Sequence, residues 1–129
     1  MKILLLLLLT ISTIVEGGDL EQYITKKNPK LSKQIVHELT LELKKYPKPI
    51  TVIVEKESTF NPNAKNNGCV GLMGLNTNVW FSSDPKYNLI KLGLIKTKKE
   101  LFTIKGNLKC GFYVWKHHNR NYRKYRGLK

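Results

Sequence analysis

Acidic side chains are scarce in this chain of 129 residues. It carries 9 aspartates and glutamates against 23 lysines and arginines, which gives a formal net charge of +14. No carboxylate occurs anywhere between residues 58 and 83. The excess of positive charge predicts an anionic partner, and the scarcity of carboxylates makes each one that is present informative.

Cysteine and histidine are also rare. Cys69 and Cys110 are an even count, which permits one disulfide in an oxidising compartment. Such a bridge would close a loop of about 40 residues and add roughly 3–4 kcal/mol to stability; two free, buried thiols are the alternative. His117 and His118 are adjacent, so on a helix they point in different directions, and His37 is remote in sequence. No cysteine or carboxylate completes a ligand set, so we expect neither a metal nor a cofactor.

The first residues have the layout of a secretory signal peptide. Lys2 gives a short positive start, residues 3–9 are an unbroken apolar run, and Gly17 and Gly18 supply small residues before the polar sequence begins. The run is short for a membrane span, which needs about 20 apolar residues, although an uncleaved anchor is the alternative. We therefore predict a signal peptide over residues 1–17 and one domain over residues 18–129.

If the protein is exported, its positive charge indicates a cell-wall polymer as the anionic partner rather than nucleic acid. Residues 1–17 contain one charge of each sign, Lys2 and Glu16, so the remaining domain keeps the net charge of +14. Nucleic acid is the usual partner of so basic a domain, but an exported protein does not meet it. Polymers of the cell wall, which carry carboxylates and often phosphates, fit the compartment better. A solvated lysine surface that only aids solubility is the alternative.

Hydrophobic spacing predicts a mainly helical domain. Apolar residues recur every four positions over residues 31–46, which predicts an amphipathic helix ended by Pro47 and Pro49. A further helix is predicted over residues 107–118, and residues 98–104 are predicted to form a short helix or the approach to one. Residues 50–58 are ambiguous, since five consecutive β-branched residues favour a strand and a short buried helix has the same composition.

Turn-forming residues fill the stretch after residue 60. Asparagine, proline and glycine dominate residues 61–68, and Gly71 and Gly74 bracket a Leu-Met pair. Such a pattern predicts a tight hairpin or loop with unusual backbone angles. Short strands are expected within residues 64–80.

Glu57 is the carboxylate with the most suggestive position. It follows an apolar segment and precedes the loop rich in glycine, asparagine and proline. A carboxyl in such a place is desolvated, and desolvation favours its protonated form. Cleavage of a glycosidic bond needs a proton donor of this kind. A surface carboxylate paired with a neighbouring lysine is the alternative.

The residues around Glu57 carry a specific resemblance. Residues 57–64 read Glu-Ser-Thr-Phe-Asn-Pro-Asn-Ala and residues 68–73 read Gly-Cys-Val-Gly-Leu-Met. This resembles the signature of lytic transglycosylases related to the soluble lytic murein transglycosylase, Glu-Ser-x-Phe-Asn-Pro-x-Ala followed by Gly-x-x-Gly-Leu-Met-Gln. Residues 107–111, Asn-Leu-Lys-Cys-Gly, are similar to the family's Asn-Ile-x-x-Gly helix start, and residues 125–127 are weakly similar to its Tyr-Asn-Gly-Gly element. The resemblance spans residues 29–127 and implies that the segment containing Glu57 is a helix.

The resemblance implies a fold, a reaction and partners. The fold is a mainly α, lysozyme-like single domain, α+β with at most a small hairpin. The reaction is cleavage of peptidoglycan glycan strands by one glutamate, Glu57, with formation of a 1,6-anhydro sugar. A cell-envelope secretion machine is a second candidate partner, nucleic acid is not expected, and we expect a monomer. The alternatives are a hydrolytic muramidase resembling goose-type lysozyme, a catalytically weak wall-binding or secretion-associated protein, and a cationic membrane-active protein.

The resemblance also implies the residues that line the substrate groove. Ser58 would support the glutamate or the sugar, although a helix-end hydroxyl often bonds backbone instead. The groove would be shaped by Leu72 and Met73, for which core packing is the alternative. Asn76 and Tyr125 complete the expected substrate-binding set. Tyr125 would sit near Glu57 and assist the transition state, and an aromatic residue of the tail without such a role is the alternative. The sequence departs from the family at residue 74, where Gly74 replaces glutamine, and at residue 76, where asparagine replaces methionine.

Overall fold

The computed structural model describes residues 19–118 of the chain. Helix α1 includes residues 19–27. The helices that follow are α2 (Lys33–Leu43), α3 (Lys48–Ser58), α4 (Thr77–Trp80) and α5 (Ile104–His117). The strands are β1 (Lys65–Asn66), β2 (Cys69–Val70) and β3 (Leu75–Asn76), and 3₁₀ turns cover Pro85–Tyr87 and Lys98–Phe102. The mainly helical domain with a small sheet is the fold class that the sequence predicts.

Helices α2 and α3 form where the sequence places them. Ser32 caps the N-terminus of α2, since its hydroxyl accepts a hydrogen bond from the Ile35 amide at 3.2 Å. Pro49 lies in the first turn of α3, where its missing amide hydrogen costs nothing. Ile50 and Ile53 are fully buried, so tertiary packing outweighs the strand propensity of this β-branched segment and confirms the helical interpretation.

A sharp reversal follows α3. Thr59 and Phe60 both have left-handed backbone, with φ of 50° and 61°, an uncommon conformation for residues other than glycine. The Asn28 side chain donates to the Thr59 carbonyl at 2.9 Å, and the buried Phe60 ring packs edge-on against Tyr23. Contacts from Tyr23 of α1 and from Asn28, which directly follows α1, therefore hold the chain where it turns away from the end of α3.

The sheet is a meander of three short antiparallel strands in the order β1-β2-β3. Asn66 pairs with Cys69, so β1 and β2 are joined by Asn67 and Gly68, whose positive φ values match the tight turn typical of Asn-Gly. Val70 pairs with Leu75, so residues 71–74 connect β2 to β3. We call this connection the 71–74 loop. Its first and last residues, both glycine, have positive φ, and the predicted strands and unusual loop are confirmed.

Asn107 ties the 71–74 loop to α5. The side chain is fully buried. Its oxygen accepts from the Met73 amide at 2.7 Å, and its nitrogen donates to the carbonyls of Val70 at 3.1 Å and Leu101 at 2.8 Å. One amide side chain thus satisfies three backbone groups: one just before the loop, one within it and one in the 3₁₀ turn before α5.

One hydrophobic core joins these elements. Helix α5 packs against α2 and against the 3₁₀ turn Lys98–Phe102. Gly111 of α5 faces Met73, and a Cβ atom at Gly111 would lie 2.2 Å from the Met73 sulfur, so only glycine allows this close approach. Within residues 19–118 no helix has the length and hydrophobicity that a membrane span requires.

Candidate active site

Glu57 continues the buried face of α3. Ile50, Ile53 and Val54 of that helix are fully buried, and Glu57 follows them at the spacing i, i+3, i+4, i+7 that defines one helical face. The face is apolar until its final turn, where it presents a half-buried carboxylate. Helix geometry therefore aims this carboxylate toward the interior side of the domain, as the sequence predicts.

The 71–74 loop lies directly against that carboxylate. A Cβ atom built on Gly74 would sit 3.1 Å from Glu57 Oε2 and 3.4 Å from Glu57 Cβ. The loop therefore forms a wall beside Glu57, and at Gly74 this wall carries no side chain. The end of α3 and the start of β3 together build the candidate site.

Glu55, the other carboxylate of α3, is turned to a different surface. Its Oε1 accepts a hydrogen bond from the Tyr23 hydroxyl, and its Oε2 lies 3.9 Å from Lys27 Nζ. The bond to Glu55 raises the pKa of the Tyr23 hydroxyl above its ordinary value. Glu55 lines a groove of about 510 Å³ between α1, α2 and α3. It links α3 to α1, and the carboxylate at the loop is Glu57.

The remaining motif residues around Glu57 shape the backbone. The Ser58 hydroxyl donates to the Val54 carbonyl at 2.9 Å, which is the backbone-bonding alternative and uses its single hydrogen-bond donor. Asn61 Oδ1 accepts from the Asn63 amide at 2.9 Å, and the Ala64 carbonyl accepts from the Gly71 amide at 2.8 Å. The turn after Glu57 and the start of the 71–74 loop are thereby held together.

Leu72 and Met73 belong to the core. Both side chains are fully buried, so core packing describes them better than direct lining of a groove. Their effect on the site is through the backbone, since they anchor the loop whose last residue contacts Glu57. Asn107 acts in the same way, and the sequence reasoning assigned it no role. A polar residue between Ile104 and Leu108 on the inner side of α5 is the signal that would have revealed it.

The last two predicted groove residues have different outcomes. Asn76 is half-buried, pairs with Cys69 in the sheet, and caps α4 by accepting from the Asn78 amide at 2.9 Å. Its Oδ1 therefore has a structural role at the end of the loop wall. Tyr125 lies outside the described residues, as do residues 1–17 with the predicted signal peptide.

Comparison with known families gives a clear result. The family described as Transglycosylase SLT domain matches residues 35–128. This chain belongs to the SLT transglycosylase family. The match covers both elements that meet at Glu57, and it confirms the lysozyme-like fold and the family resemblance. No curated protein and no solved structure matches the chain.

Membership of the SLT family carries an activity at the level of the family. SLT domains have a peptidoglycan-cleaving activity of the lytic transglycosylase type, so peptidoglycan is the substrate class. A substrate in the cell wall also implies an exported location. In the part of the SLT domain that the structure describes, no three histidine, cysteine, aspartate or glutamate side chains group to hold a metal ion.

Both cysteines of this SLT domain are free thiols in the structure. This is the second of the two arrangements that the cysteine count allows, although only Cys110 is buried and Cys69 is half-buried. Burial in the core raises the pKa of the Cys110 thiol to about 12. The two thiols therefore differ in accessibility, and the buried Cys110 thiol is seldom deprotonated near neutral pH.

We expect one thiol of the native protein to react with an Ellman-type reagent at pH 8, and two after unfolding. At that pH about one Cys110 side chain in 10⁴ is a thiolate, given its pKa of about 12. The Cys69→Ser variant should show no rapidly reacting thiol when folded and one when unfolded. A disulfide would give none in either state without reductant, and two reactive thiols in the folded protein would contradict the burial of Cys110.

Proposed function

We propose that this SLT domain is a lytic transglycosylase that cleaves the β-1,4 bond between N-acetylmuramic acid and N-acetylglucosamine with Glu57 as its acid and base. The observation that carries the proposal is the position of Glu57. Glu57 continues the buried apolar face of α3 that is formed by Ile50, Ile53 and Val54. Its carboxyl group lies beside the wall formed by the 71–74 loop. Family membership supplies the substrate class.

The reaction divides into two proton transfers by the same carboxyl group. Glu57, protonated at first, donates its proton to the glycosidic oxygen while the bond from that oxygen to C1 of the muramic sugar breaks. The resulting carboxylate then accepts the proton of the C6 hydroxyl as O6 bonds to C1. Glu57 ends protonated, the products are a free N-acetylglucosamine 4-hydroxyl and a 1,6-anhydro muramic end, and no water is consumed.

A single carboxylate suffices for this sequence of steps. Inverting and retaining glycosidases ordinarily use a pair of carboxylates, one of them to activate water or to attack C1. Here the stretch from residue 58 to 83, which supplies the loop wall, contains no acidic residue, and Glu55 is bonded to Tyr23 and Lys27 on another surface. This arrangement supports attack by the substrate's own hydroxyl.

The mass of the product tests the proposed reaction. Purified protein incubated with peptidoglycan should release fragments whose muramic ends are lighter by one water than those from a hydrolytic muramidase. Digestion of a parallel portion of the same peptidoglycan with a muramidase of known hydrolytic action provides the reference masses. Exclusively reducing, hydrated ends would show that the enzyme is a muramidase of the goose-lysozyme kind and would overturn the proposed chemistry.

We also propose how the domain reaches and holds its substrate. Residues 1–17 act as a signal peptide that is removed on export, and the net charge of +14 attracts the domain to the anionic wall. Asn76 and Tyr125 contact the glycan, and Ser58 supports Glu57 through its position in the last turn of α3. The protein works as a monomer without a cofactor, and a cell-envelope secretion machine is a candidate partner.

A further inference from the structure

A groove between α1, α2 and α3 lies on the far side of α3 from Glu57. The α3 residues that line it are Lys48, Thr51, Val52 and Glu55, which follow the spacing i, i+3, i+4, i+7 of a single helical face. At about 100° per residue, that face is rotated by about 160° from the face that ends at Glu57. The volume of about 510 Å³ lies in the range of roughly 300–1,000 Å³ that is typical of ligand pockets. We call it the α1–α3 groove.

Two tyrosines that line the α1–α3 groove are held by other side chains. Tyr23 packs edge-on against Phe60, with 6.2 Å between the ring centroids, and its hydroxyl donates to Glu55. Tyr46 packs against Phe112 of α5, with 5.2 Å between the centroids. These contacts fix the walls of the groove before a ligand binds, which lowers the entropic cost of binding.

Apolar surface and positive charge without a partner meet in this groove. Leu20 and Val52 line it with aliphatic side chains, and Lys44 and Lys48 line it with ammonium groups. Neither lysine forms an ion pair with any carboxylate of residues 19–118. The carboxylate of Glu55 is already engaged by side chains of α1. The groove therefore suits a ligand that combines small apolar groups with carboxylates.

We infer that the α1–α3 groove binds the peptide stem of peptidoglycan, the short peptide that branches from the muramic sugar. This peptide joins the methyl side chains of alanine to free carboxylates, which match the aliphatic lining and the two lysines. The glycan alone lacks that charge, because the lactyl carboxyl group of the muramic sugar is an amide wherever a peptide is attached. The inference rests on peptidoglycan as the substrate class of the family and is independent of the role of Glu57.

The position of the groove defines what such binding does. A helix with its side chains is about 10–12 Å across, so a peptide held on the far side of α3 belongs to a strand other than the one at Glu57. The α1–α3 groove thus retains the enzyme on the mesh of the wall while the candidate site engages a neighbouring strand.

An NMR titration with two probes tests the ligand class. The protein is Glu57→Gln, and the probes are a purified disaccharide–tetrapeptide and the same disaccharide after an amidase has removed the peptide. The first should shift the amide signals of Thr51 and Val52 in a saturable way, and the second should leave both signals unchanged. Equal shifts with the peptide-free disaccharide would overturn the assignment to the peptide. Broadening by phosphatidylglycerol vesicles, with no response to the disaccharide–tetrapeptide, would assign the groove to a membrane surface instead.

Charge-matched variants separate the groove from the general positive charge of the protein. Lys44→Gln combined with Lys48→Gln should weaken binding of the disaccharide–tetrapeptide about 5-fold, since each exposed charge pair contributes modestly. Lys99 and Lys109 are exposed, form no ion pair within residues 19–118 and do not line the groove. Lys99→Gln combined with Lys109→Gln removes the same charge and should change the affinity less than about 2-fold.

A second matched pair tests the apolar lining. The side chains of Val52 and Ile90 are 36% and 38% exposed, and only Val52 lines the groove. Val52→Asp places a negative charge where carboxylates would bind and should weaken binding about 10-fold or more, whereas Ile90→Asp should change it less than about 2-fold. Equal effects within either pair would reduce the binding to net charge and overturn the inference. Full cleavage by Glu57→Gln would instead overturn the proposed function and leave these binding results standing.

Discussion

Glu57→Gln should lower peptidoglycan cleavage by about 10²–10⁴-fold or more, because the amide can neither donate the first proton nor accept the second. The substitution keeps the size of the side chain and its place on the inner face of α3, so contacts with Gly74 are retained. The measurement is release of soluble fragments from purified peptidoglycan. Circular dichroism and thermal unfolding check that the variant is folded.

Glu55→Gln is the matched control for this result. It removes one negative charge from the same helix, so attraction to the anionic wall changes equally in both variants. Glu55 contacts Tyr23 and Lys27 rather than the loop, and loss of this partly exposed set costs about 1 kcal/mol of stability or less. Its cleavage rate should stay near that of the parent. Parental cleavage by both variants, or an equal loss in both, would contradict the role of Glu57. An absence of cleavage by the parent as well would favour a wall-binding or membrane-active protein.

Asn107→Ala is expected to reduce the free energy of unfolding by about 3 kcal/mol. The change leaves the Met73 amide and the Val70 and Leu101 carbonyls without their side-chain partner, and a buried polar group without a partner costs about 1–3 kcal/mol. A domain of this size has a total stability of about 5–15 kcal/mol, so the loss is a large share. Urea denaturation followed by circular dichroism measures it.

Asn88→Ala separates burial from the number of hydrogen bonds. The Asn88 side chain also makes three bonds to backbone, accepting from Ile90 and Lys91 and donating to the Ser82 carbonyl. It is half-buried in a surface segment, so water replaces the lost partners and the expected cost is about 1 kcal/mol or less. If both variants lost the same stability, the buried position of Asn107 would not be the cause.

The family motif resolved the one segment whose local propensity was misleading. Residues 50–54 are all β-branched, and only the Glu-Ser-x-Phe-Asn-Pro signature after them favoured the helix that is observed as α3. Burial of Ile50, Ile53 and Val54 is a tertiary effect that no window of sequence contains. Turn chemistry was more local, because Asn67-Gly68 and the glycines of the 71–74 loop adopt the positive φ that these residues favour.

Features that depend on contacts distant in sequence were beyond prediction. Helix α1 has apolar residues at positions 20, 23 and 24, too few to define a period. The contact of Tyr23 with Glu55, and that of Asn28 just after α1 with Thr59, appear only in three dimensions. In the sequence, Gly74 is only the position where the family glutamine is missing. The structure shows in addition that this position lies beside the Glu57 carboxyl group. Likewise, the reach of Asn107 back to Val70 spans 37 residues.

The hydrogen bond from the Met73 amide to Asn107 affects which parts of the protein unfold together. Loops next to very short strands usually exchange their amide hydrogens with solvent through small local fluctuations. The Met73 hydrogen cannot do so until it leaves a side chain buried in α5. We therefore expect the loop wall beside Glu57 and α5 to open together, and hydrogen exchange at Met73 should be as slow as in the helix. Under the proposed function, a glycan strand at Glu57 would meet a loop that opens only together with α5.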